Sequence, residues 1–156
     1  MRILVVSDSH GNKWNFQEAL EKEPSAEVVY FLGDGYRDYE EMLYSFGEKK
    51  AFIAVSGNCD LACTFPDKDI RTIGGVRIYA THGYMEKVKF GFYTLECSAR
   101  QENCRIALFG HTHDPYSNYY DGLYLFNPGS INDGFYGVID IAENGIICFN
   151  KNLYSY

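Results

Sequence analysis

The sequence predicts an α/β protein in which two mixed β-sheets pack face to face with helices outside. In the first half of the chain, continuous apolar runs alternate with segments of helical periodicity, as in parallel sheets covered on both faces. In the second half, shorter apolar runs are joined by turn dipeptides typical of antiparallel hairpins. The length of 156 residues suits one domain, predicted to span residues 1–156.

The first half contains three predicted strands separated by two predicted helices. The second helix carries apolar side chains at helical spacing, at Tyr39, Met42, Leu43 and Phe46, which predicts one apolar face. The elements in chain order are strand Ile3–Val6, helix Trp14–Lys22, strand Val28–Leu32, helix Arg37–Phe46 and strand Ala51–Val55.

The second half is predicted to be mostly antiparallel, with a third helix within Phe92–Asn103. Three hairpin turns are indicated, at Gly74-Gly75, Asp121-Gly122 and Glu143-Asn144-Gly145. The predicted strands are Asp69–Ile73, Val76–Ala80, Ile106–Phe109, Ser117–Tyr120, Leu123–Phe126, Tyr136–Ile141 and Ile146–Phe149.

Charge and apolar pattern exclude several classes of protein. The formal net charge of -7 argues against a nucleic-acid polymer as partner, because such binders need a basic surface. No apolar run approaches the ~20 residues of a membrane span. The apolar start at Met1–Val6 is too short for a signal peptide, so we expect a cytoplasmic protein without membrane contact.

The cysteines indicate neither a disulfide framework nor a structural zinc site. Their number is odd, their spacing is irregular and no Cys-x-x-Cys pair is present. We expect most of them to be reduced, buried, small hydrophobic residues. They are Cys59, Cys63, Cys97, Cys104 and Cys148.

Polar residues with metal-ligand chemistry follow five of the predicted strands, and they include all four histidines of the chain. Ligands bind at the carboxyl ends of strands in open α/β sheets. Imidazole, carboxylate and amide oxygen suit divalent cations, and seven such residues suit two ions about 3.5–4 Å apart that share a carboxylate. The candidates are Asp8, His10, Asp34, Asn58, His82, His111 and His113.

The two-residue spacings within this set have a geometric meaning. On an extended backbone, residues i and i+2 lie on the same side, so Asp8/His10 and His111/His113 are each expected to point into one site. Taken singly, these motifs are weak, because Gly-Asp and Gly-Asn are common turns and a lone histidine is usually structural. The ordered combination at successive strand ends is what indicates a metal site.

These motifs resemble those of the calcineurin-like metallophosphoesterases, specifically their small, single-domain prokaryotic phosphodiesterase branch. The resemblance spans residues 1 to about 140 and implies a four-layer α-β-β-α sandwich. The matching segments are Asp8-Ser9-His10, Gly33-Asp34, Gly57-Asn58-Cys59-Asp60, Thr81-His82-Gly83, Gly110-His111-Thr112-His113 and Asn127-Pro128-Gly129-Ser130.

The resemblance also implies a ligand assignment for two divalent metal ions per chain. One ion is held by Asp8, His10 and His113, and the other by Asn58, His82 and His111. Asp34 bridges the two ions. Mn²⁺ is the first expectation, with Fe, Zn²⁺ or Ni²⁺ as alternatives.

Two departures from the wider family bear on catalysis. Cys59 occupies the position where larger phosphatases carry a histidine after the ligand Asn, so no side-chain general acid is assigned. The family often has Pro-Arg shortly after the Asn-Pro-Gly-Ser segment, whereas this chain has Ile131-Asn132-Asp133-Gly134. Without that guanidinium, the metals are expected to supply most of the positive field.

Three further residues near the motifs have two interpretations each. Asn12 either contacts substrate or caps the helix that begins near Trp14. Asp60 either accepts a hydrogen bond from a metal-bound histidine or closes its own loop. Cys59 either faces the substrate or, as we favour, is buried, and Cys59→Ala is expected to retain at least a tenth of wild-type turnover (about 1.4 kcal/mol of barrier).

The sequence therefore predicts a phosphoesterase, most simply a phosphodiesterase, in which a metal-bridging hydroxide attacks a small phosphate ester in line with the leaving oxygen. Two alternatives stay open. One is a phosphomonoesterase of the same fold. The other is a non-catalytic scaffold, because a subunit of the eukaryotic retromer complex shares this fold and acts mainly through protein contacts. The family also leads us to consider a homodimer or homotetramer.

Overall fold

The computed structural model describes residues 1–155 and contains ten β-strands and three α-helices in that range. The strands are β1 (Arg2–Val6), β2 (Val28–Phe31), β3 (Ala51–Ala54), β4 (Lys68–Ile73), β5 (Val76–Thr81), β6 (Ile106–Leu108), β7 (Tyr116–Tyr120), β8 (Leu123–Asn127), β9 (Phe135–Ala142) and β10 (Gly145–Asn152). The helices are α1 (Lys13–Lys22), α2 (Tyr36–Phe46) and α3 (Tyr93–Gln101).

The strands form two mixed sheets of five strands each. The first has the order β10-β9-β1-β2-β3 and the second the order β4-β5-β6-β8-β7. Parallel pairing joins β1, β2 and β3 in the first sheet, with Ile3 opposite Val28. It also joins β5, β6 and β8 in the second. The carboxyl ends of these parallel strands therefore lie along one edge of each sheet.

Three apolar clusters show that the molecule has four layers. Inward-facing side chains of both sheets, such as Tyr30 and Leu108, form the central cluster between the sheets. Helices α1 and α2 cover the outer face of the first sheet through residues such as Phe16. Helix α3 covers the second sheet through Leu95 and Ala99. Burial of each large apolar side chain contributes about 1.5–3 kcal/mol, so the layers are held mainly by the hydrophobic effect. The predicted α-β-β-α sandwich is confirmed.

The predicted elements agree closely with the observed ones. Strand and helix ends agree to within one residue except in β10, which continues three residues further, to Asn152, and α3 lies within its predicted range. One prediction about packing was wrong. Leu43 was assigned to the apolar face of α2, but it is 41% exposed, whereas Tyr39 and Met42 are buried and Phe46 packs partly buried against the same cluster.

The cysteines are free thiols in the described chain, as expected. The expectation that most are buried was wrong, since only Cys104 is fully buried and Cys59 is exposed. None of the helices in residues 1–155 combines the length and the apolar character needed to cross a membrane.

Candidate metal centre

The seven candidate ligands meet where the carboxyl edges of the two sheets come together. The loops after β1, β2 and β3 of the first sheet carry four of them: Asp8, His10, Asp34 and Asn58. The loops after β5 and β6 of the second sheet carry the other three: His82, His111 and His113. The structure thus brings together residues that are up to 105 positions apart in the printed sequence.

The first group of ligand atoms belongs to Asp8, His10 and His113. The Nε2 atoms of the two histidines are 3.3 Å apart. Oδ1 of Asp8 lies 3.3 Å from Nε2 of His113 and 3.8 Å from Nε2 of His10. Asp8 is completely buried, whereas both imidazoles are exposed at the surface. The Asp8 carboxylate therefore forms the buried floor of this group, and the side with the two imidazoles is open to solvent.

The second group belongs to Asp34, His82 and His111, with Asn58 beside it. Nε2 of His82 lies 3.0 Å from Oδ1 of Asn58 and 3.4 Å from Oδ2 of Asp34. Nδ1 of His82 is 2.7 Å from the Leu32 carbonyl oxygen, to which it donates. That bond places the proton on Nδ1 and leaves the lone pair of Nε2 directed into the group.

Asp34 lies between the two groups. Its Oδ2 atom is 3.4 Å from Nε2 of His82 and 3.9 Å from Nε2 of His10. Its Oδ1 atom accepts the amide hydrogen of Cys59 at 2.8 Å. Burial favours the neutral acid, but the hydrogen bond and charge of His82 outweigh it and hold the pKa of Asp34 below its usual range. Asp34 is thus an ionised carboxylate within reach of both groups.

The histidines of the second group differ in their electrostatic surroundings. Burial works against protonation of His82, but the carboxylates of Asp34 and Asp8 raise its pKa above the ordinary value. Burial, followed by the nearby His82 and Lys89, lowers the pKa of His111. The ring of Tyr84 packs edge-on against His111, with 5.5 Å between the ring centroids, and covers one side of the group.

Five of the seven residues have a left-handed backbone conformation, with positive φ. They are Asp8 (55°), His10 (45°), Asp34 (61°), His111 (67°) and His113 (65°). Positive φ is uncommon outside glycine and is concentrated at functional sites, where the surrounding structure offsets its cost of about 1–3 kcal/mol. The expectation that the i, i+2 pairs lie on extended backbone was therefore wrong.

The left-handed backbone changes the directions of the His111 and His113 side chains. His111 and His113 do not enter one common group: His113 joins Asp8 and His10, whereas His111 joins Asp34 and His82. Alternation along a strand would have placed both rings on the same side. The tight left-handed turns separate them and supply one imidazole to each group.

A buried polar atom without a partner tests whether these residues suit a cation. Oδ1 of Asp8 is the one buried side-chain oxygen or nitrogen of residues 1–155 that has no hydrogen-bond partner. Such an atom costs about 1–3 kcal/mol unless something satisfies it. It faces the Nε2 atoms of His113 and His10, which are also candidate metal ligands. Carboxylate and imidazole together fit a divalent transition-metal ion.

A set of buried hydrogen bonds fixes the two loops that carry the first group. Ser130 donates through Oγ to the carbonyl oxygen of Asp8, and its amide donates to that of His113. Asn127 donates through Nδ2 to the Gly110 carbonyl oxygen and to the hydroxyl of Thr112. The Asn-Pro-Gly-Ser segment was noticed in the sequence without a role. In the structure, its Asn127 and Ser130 hold the two loops in place through these hydrogen bonds, and we call these two the clamp residues.

Glycine is required at two positions because the backbone passes very close to a ligand. A Cβ added at Gly57 would overlap Oδ1 of Asp34. A Cβ added at Gly110 would overlap Oγ of Ser7, the hydroxyl that donates to Oδ2 of Asp8. Both loops can support their carboxylates at this distance only without a side chain.

Asp60 closes its own loop and contacts none of the histidines. Its carboxylate accepts four backbone amide hydrogens, from Gly57, Asp34, Gly35 and Tyr36, at 2.7–3.0 Å. It therefore joins the Asn58 loop to the Asp34 loop and satisfies the amides at the start of α2. Of its two interpretations, the loop-closing one is confirmed.

The surroundings of Asn12 and Cys59 also decide between the two interpretations of each residue. The side chain of Asn12 accepts the amide hydrogen of Asn15 and caps α1, as one interpretation predicted. The favoured interpretation, that Cys59 is buried, was wrong. Cys59 is exposed, and its Sγ atom lies within 4.8 Å of candidate ligand atoms of His10 and Asp34. Partial desolvation by its neighbours, followed by the Asp34 carboxylate, raises the pKa of the Cys59 thiol.

Comparison with known proteins identifies the family. The sequence profile of the calcineurin-like phosphoesterase superfamily domain matches residues 1–142. The chain belongs to this superfamily. Among its calcineurin-like relatives, the probable metallophosphoesterase YsnB of Bacillus subtilis is 31% identical over 131 residues, covering 84% of this chain and 75% of YsnB. The phosphodiesterase YfcE of Escherichia coli K12 is 26% identical, covering 96% of this chain and 93% of YfcE.

Solved structures show the same calcineurin-like fold. A Streptococcus pneumoniae protein described as a predicted phosphoesterase superposes with a TM-score of 0.76 at 23% identity, covering 96% of this chain and 97% of its own. Vps29 from Entamoeba histolytica, in complex with Zn²⁺, superposes with a TM-score of 0.75 at 19% identity, covering 97% and 99%. At these identities the likeness establishes the fold.

Proposed function

We propose that the protein is a dinuclear metal-dependent phosphodiesterase that uses all seven converging residues as ligands. One divalent ion would be held by Asp8, His10 and His113 and the other by Asn58, His82 and His111, with Asp34 within reach of both. The observation that carries the proposal is the partnerless, buried Oδ1 of Asp8 facing two imidazoles. We take residues 1–156 as one catalytic domain, because both sheets contribute ligands.

The protein residues prepare the site for hydrolysis. When bound, two divalent cations supply Lewis acidity and a water whose pKa is lowered to about 7. The Leu32 carbonyl holds His82 in the tautomer that presents Nε2. The clamp residues hold the Asp8 and His113 loops, so little reorganisation is needed on substrate binding. One water is consumed, one P–O ester bond breaks, and the products are an alcohol and a phosphomonoester.

The net charge is compatible with an anionic substrate. Two divalent cations contribute four positive charges against the formal charge of -7, and the field that matters is the local one in the cleft. In the described chain no histidine other than the four ligands exists to protonate a leaving group. This favours diesters and activated esters with good leaving groups over alkyl monoesters.

Metal analysis and two chromogenic substrates test the proposal. We expect Mn²⁺-loaded protein to bind two ions per chain and to hydrolyse bis-p-nitrophenyl phosphate faster than p-nitrophenyl phosphate. Asp34→Asn is expected to lower diester turnover by at least about a hundredfold, since it removes the shared carboxylate. The exposed Asp133→Asn serves as the matched control. Mn²⁺ is the first metal to try, and Fe, Zn²⁺ and Ni²⁺ follow.

The alternatives give different results in the same assays. A phosphomonoesterase would prefer p-nitrophenyl phosphate. A non-catalytic scaffold, which the structural likeness to Vps29 keeps under consideration, would hydrolyse neither ester with any of the four metals. Intact ligand chemistry at all seven positions favours the enzyme. The cytoplasmic location and a homodimeric or homotetrameric state stay predictions.

A further inference from the structure

A cleft with a volume of about 420 Å³ leads away from the candidate metal centre. At its inner end it is lined by His10, Asp34 and Cys59, and its outer part is lined by Lys13, Tyr36 and Arg37. A volume in this range accommodates a small organic group in addition to the scissile phosphate. If the phosphate lies at the metal centre, as proposed above, one ester substituent extends into this cleft.

The charged groups along the cleft are satisfied within the protein, with one exception. Nζ of Lys13 pairs with Oε2 of Glu41 at 2.7 Å. The carboxylate of Asp38 accepts hydrogen bonds from the Ser9 hydroxyl and the Gly11 amide. Asp60 accepts four amide hydrogens, as described above. The inner anions, Asp8 and Asp34, belong to the metal centre.

Arg37 is the exception. Within residues 1–155, no carboxylate forms an ion pair with its guanidinium within 4.0 Å, and Glu40 of the same helix acts on it only through its charge. Its one protein hydrogen bond in that range runs from Nε to the hydroxyl of Tyr36 at 3.2 Å. The guanidinium carbon also lies 5.8 Å from the centre of the Tyr36 ring, which orients the side chain. The two terminal nitrogens therefore remain available as a planar pair of donors, the geometry that matches carboxylate and phosphate.

We propose that Arg37 is a specificity-determining residue that binds a second anionic group on the substituent of the phosphodiester, so that the preferred substrate carries a carboxylate or phosphate beyond the scissile phosphate. This inference rests on the proposed function and names its substrate class. Arg37 lies on α2 and lines the same cleft as His10 and Asp34.

A matched series of substrates tests the inference. The compounds are 4-nitrophenyl aryl phosphates whose second ring bears hydrogen, carboxylate, phosphonate or trimethylammonium in the para position. With Mn²⁺ present, we expect kcat/KM to be about tenfold higher for the two anionic rings than for the neutral ring, equivalent to about 1.4 kcal/mol, and lowest for the cationic ring. The anion with the larger gain distinguishes a carboxylate-bearing from a phosphate-bearing substrate.

Variants of Arg37 assign the preference to this residue. Arg37→Gln is expected to reduce the anionic-to-neutral ratio to within about twofold, Arg37→Glu to reverse it, and Arg37→Lys to give an intermediate ratio. Because Arg37 is exposed in the first turn of α2, where an acidic residue is favourable, Arg37→Glu should fold. Arg105→Gln, an exposed arginine before β6, is the matched control and should keep the wild-type ratio.

A binding measurement separates failure of this inference from failure of the proposed function. Analogues in which a methylene group replaces the scissile ester oxygen are titrated calorimetrically into Mn²⁺-loaded wild type and Arg37→Gln. Equal affinity for neutral and anionic analogues, or a preference that survives Arg37→Glu, overturns the role of Arg37 while leaving the hydrolase intact. If no diester is hydrolysed, the proposed function fails, and the analogue affinities still decide whether Arg37 binds anions.

Discussion

Asp8 has a conformation that favours binding of a cation but lowers the stability of the ligand-free protein. It combines a left-handed backbone with complete burial and a carboxylate oxygen that no protein donor satisfies. Its other oxygen accepts from the Ser7 hydroxyl and the His111 amide, so the side chain cannot turn away. A cation is the group that would satisfy the remaining oxygen, in the direction of His10 and His113.

Replacing Asp8 with asparagine tests this interpretation. We expect bound Mn²⁺ to fall from two ions per chain to one or fewer and diester turnover to fall by at least about a hundredfold. The unfolding free energy of the metal-free protein should stay within about 1 kcal/mol or rise, because a buried, uncompensated charge is removed. Plasma emission spectrometry and urea denaturation give the two values, with Asp133→Asn as control. Full metal content in Asp8→Asn would contradict the assignment.

Cys59 tests whether a thiol at the centre contributes to catalysis. Its exposed side chain groups with ligand atoms of His10 and Asp34, yet the seven other residues complete both groups without it. We still expect Cys59→Ala to keep at least a tenth of wild-type kcat, corresponding to a barrier change below about 1.4 kcal/mol. The measurement is kcat with bis-p-nitrophenyl phosphate at unchanged Mn²⁺ content, and a hundredfold loss would give the thiol a direct role.

At the scale of elements, the start of α2 is held by a residue from a different loop. Helix α2 has Gly35 at its N-cap position, which has no side chain to accept an amide hydrogen. Asp60 performs that task from the loop after β3 and also reaches the Asp34 and Gly57 amides. One carboxylate thus fixes both the start of the helix and the loop that carries Asp34.

Removing that carboxylate should destabilise the fold more than an ordinary cap mutation does. For Asp60→Ala we expect a loss of about 2–3 kcal/mol in unfolding free energy, since buried amides lose their acceptor. Asp60→Asn should lie between it and wild type, because one acceptor oxygen remains. Asp114→Ala, at an exposed aspartate, should stay within about 0.5 kcal/mol. Urea denaturation of metal-free protein makes the comparison, and equal stability of Asp60→Ala and Asp114→Ala would exclude the capping role.

At the scale of the whole molecule, the sequence predicted the secondary structure more fully than the tertiary contacts. Nine of the ten strands were predicted to within one residue, because apolar runs such as Val28–Phe31 are continuous and the hairpins have Gly-containing turns. The convergence of the ligands followed from their positions after parallel strands. The backbone conformation at His111 and His113 was missed, because positive φ is imposed by the surrounding clamp. The role proposed for Arg37 was also missed, since the lack of an ion-pair partner for it within residues 1–155 is visible only in the tertiary structure.

Alkaline conditions probe two buried phenols that are not among the candidate metal ligands. Burial, followed by the charges of Glu86 and Glu23, raises the pKa of Tyr79 and of Tyr136 to about 12 from the ordinary value of 10.0. The folded state therefore keeps these protons while the unfolded chain releases them, and the unfolding free energy falls as pH rises from about 10 to 12. Each group contributes up to about 2.7 kcal/mol over that window.

Phenylalanine substitution isolates this contribution. Tyr136→Phe should flatten the dependence of unfolding free energy on pH above pH 10 by about 1.4 kcal/mol per pH unit, because one titrating group is lost. Tyr44→Phe, at a side chain that is 93% exposed, is the control and should follow wild type. Urea denaturation at pH 9, 10 and 11 measures the slopes. Parallel slopes for wild type and Tyr136→Phe would show that the buried phenol does not titrate differently on unfolding.

Metal binding should stabilise the entire sandwich, because loops of the first sheet carry four of the candidate ligands and loops of the second carry three. An ion that binds only the folded state at a hundred times its Kd adds about 2.7 kcal/mol, or about 5–10 °C in Tm for a chain of this length. We therefore expect Mn²⁺ to raise the Tm of EDTA-treated protein by that amount in wild type and Asp133→Asn, and by less than half of it in Asp8→Asn. An equal rise in Asp8→Asn would place the stabilising ion elsewhere, since ions bound to surface carboxylates do not depend on a buried oxygen at the junction of the two sheets.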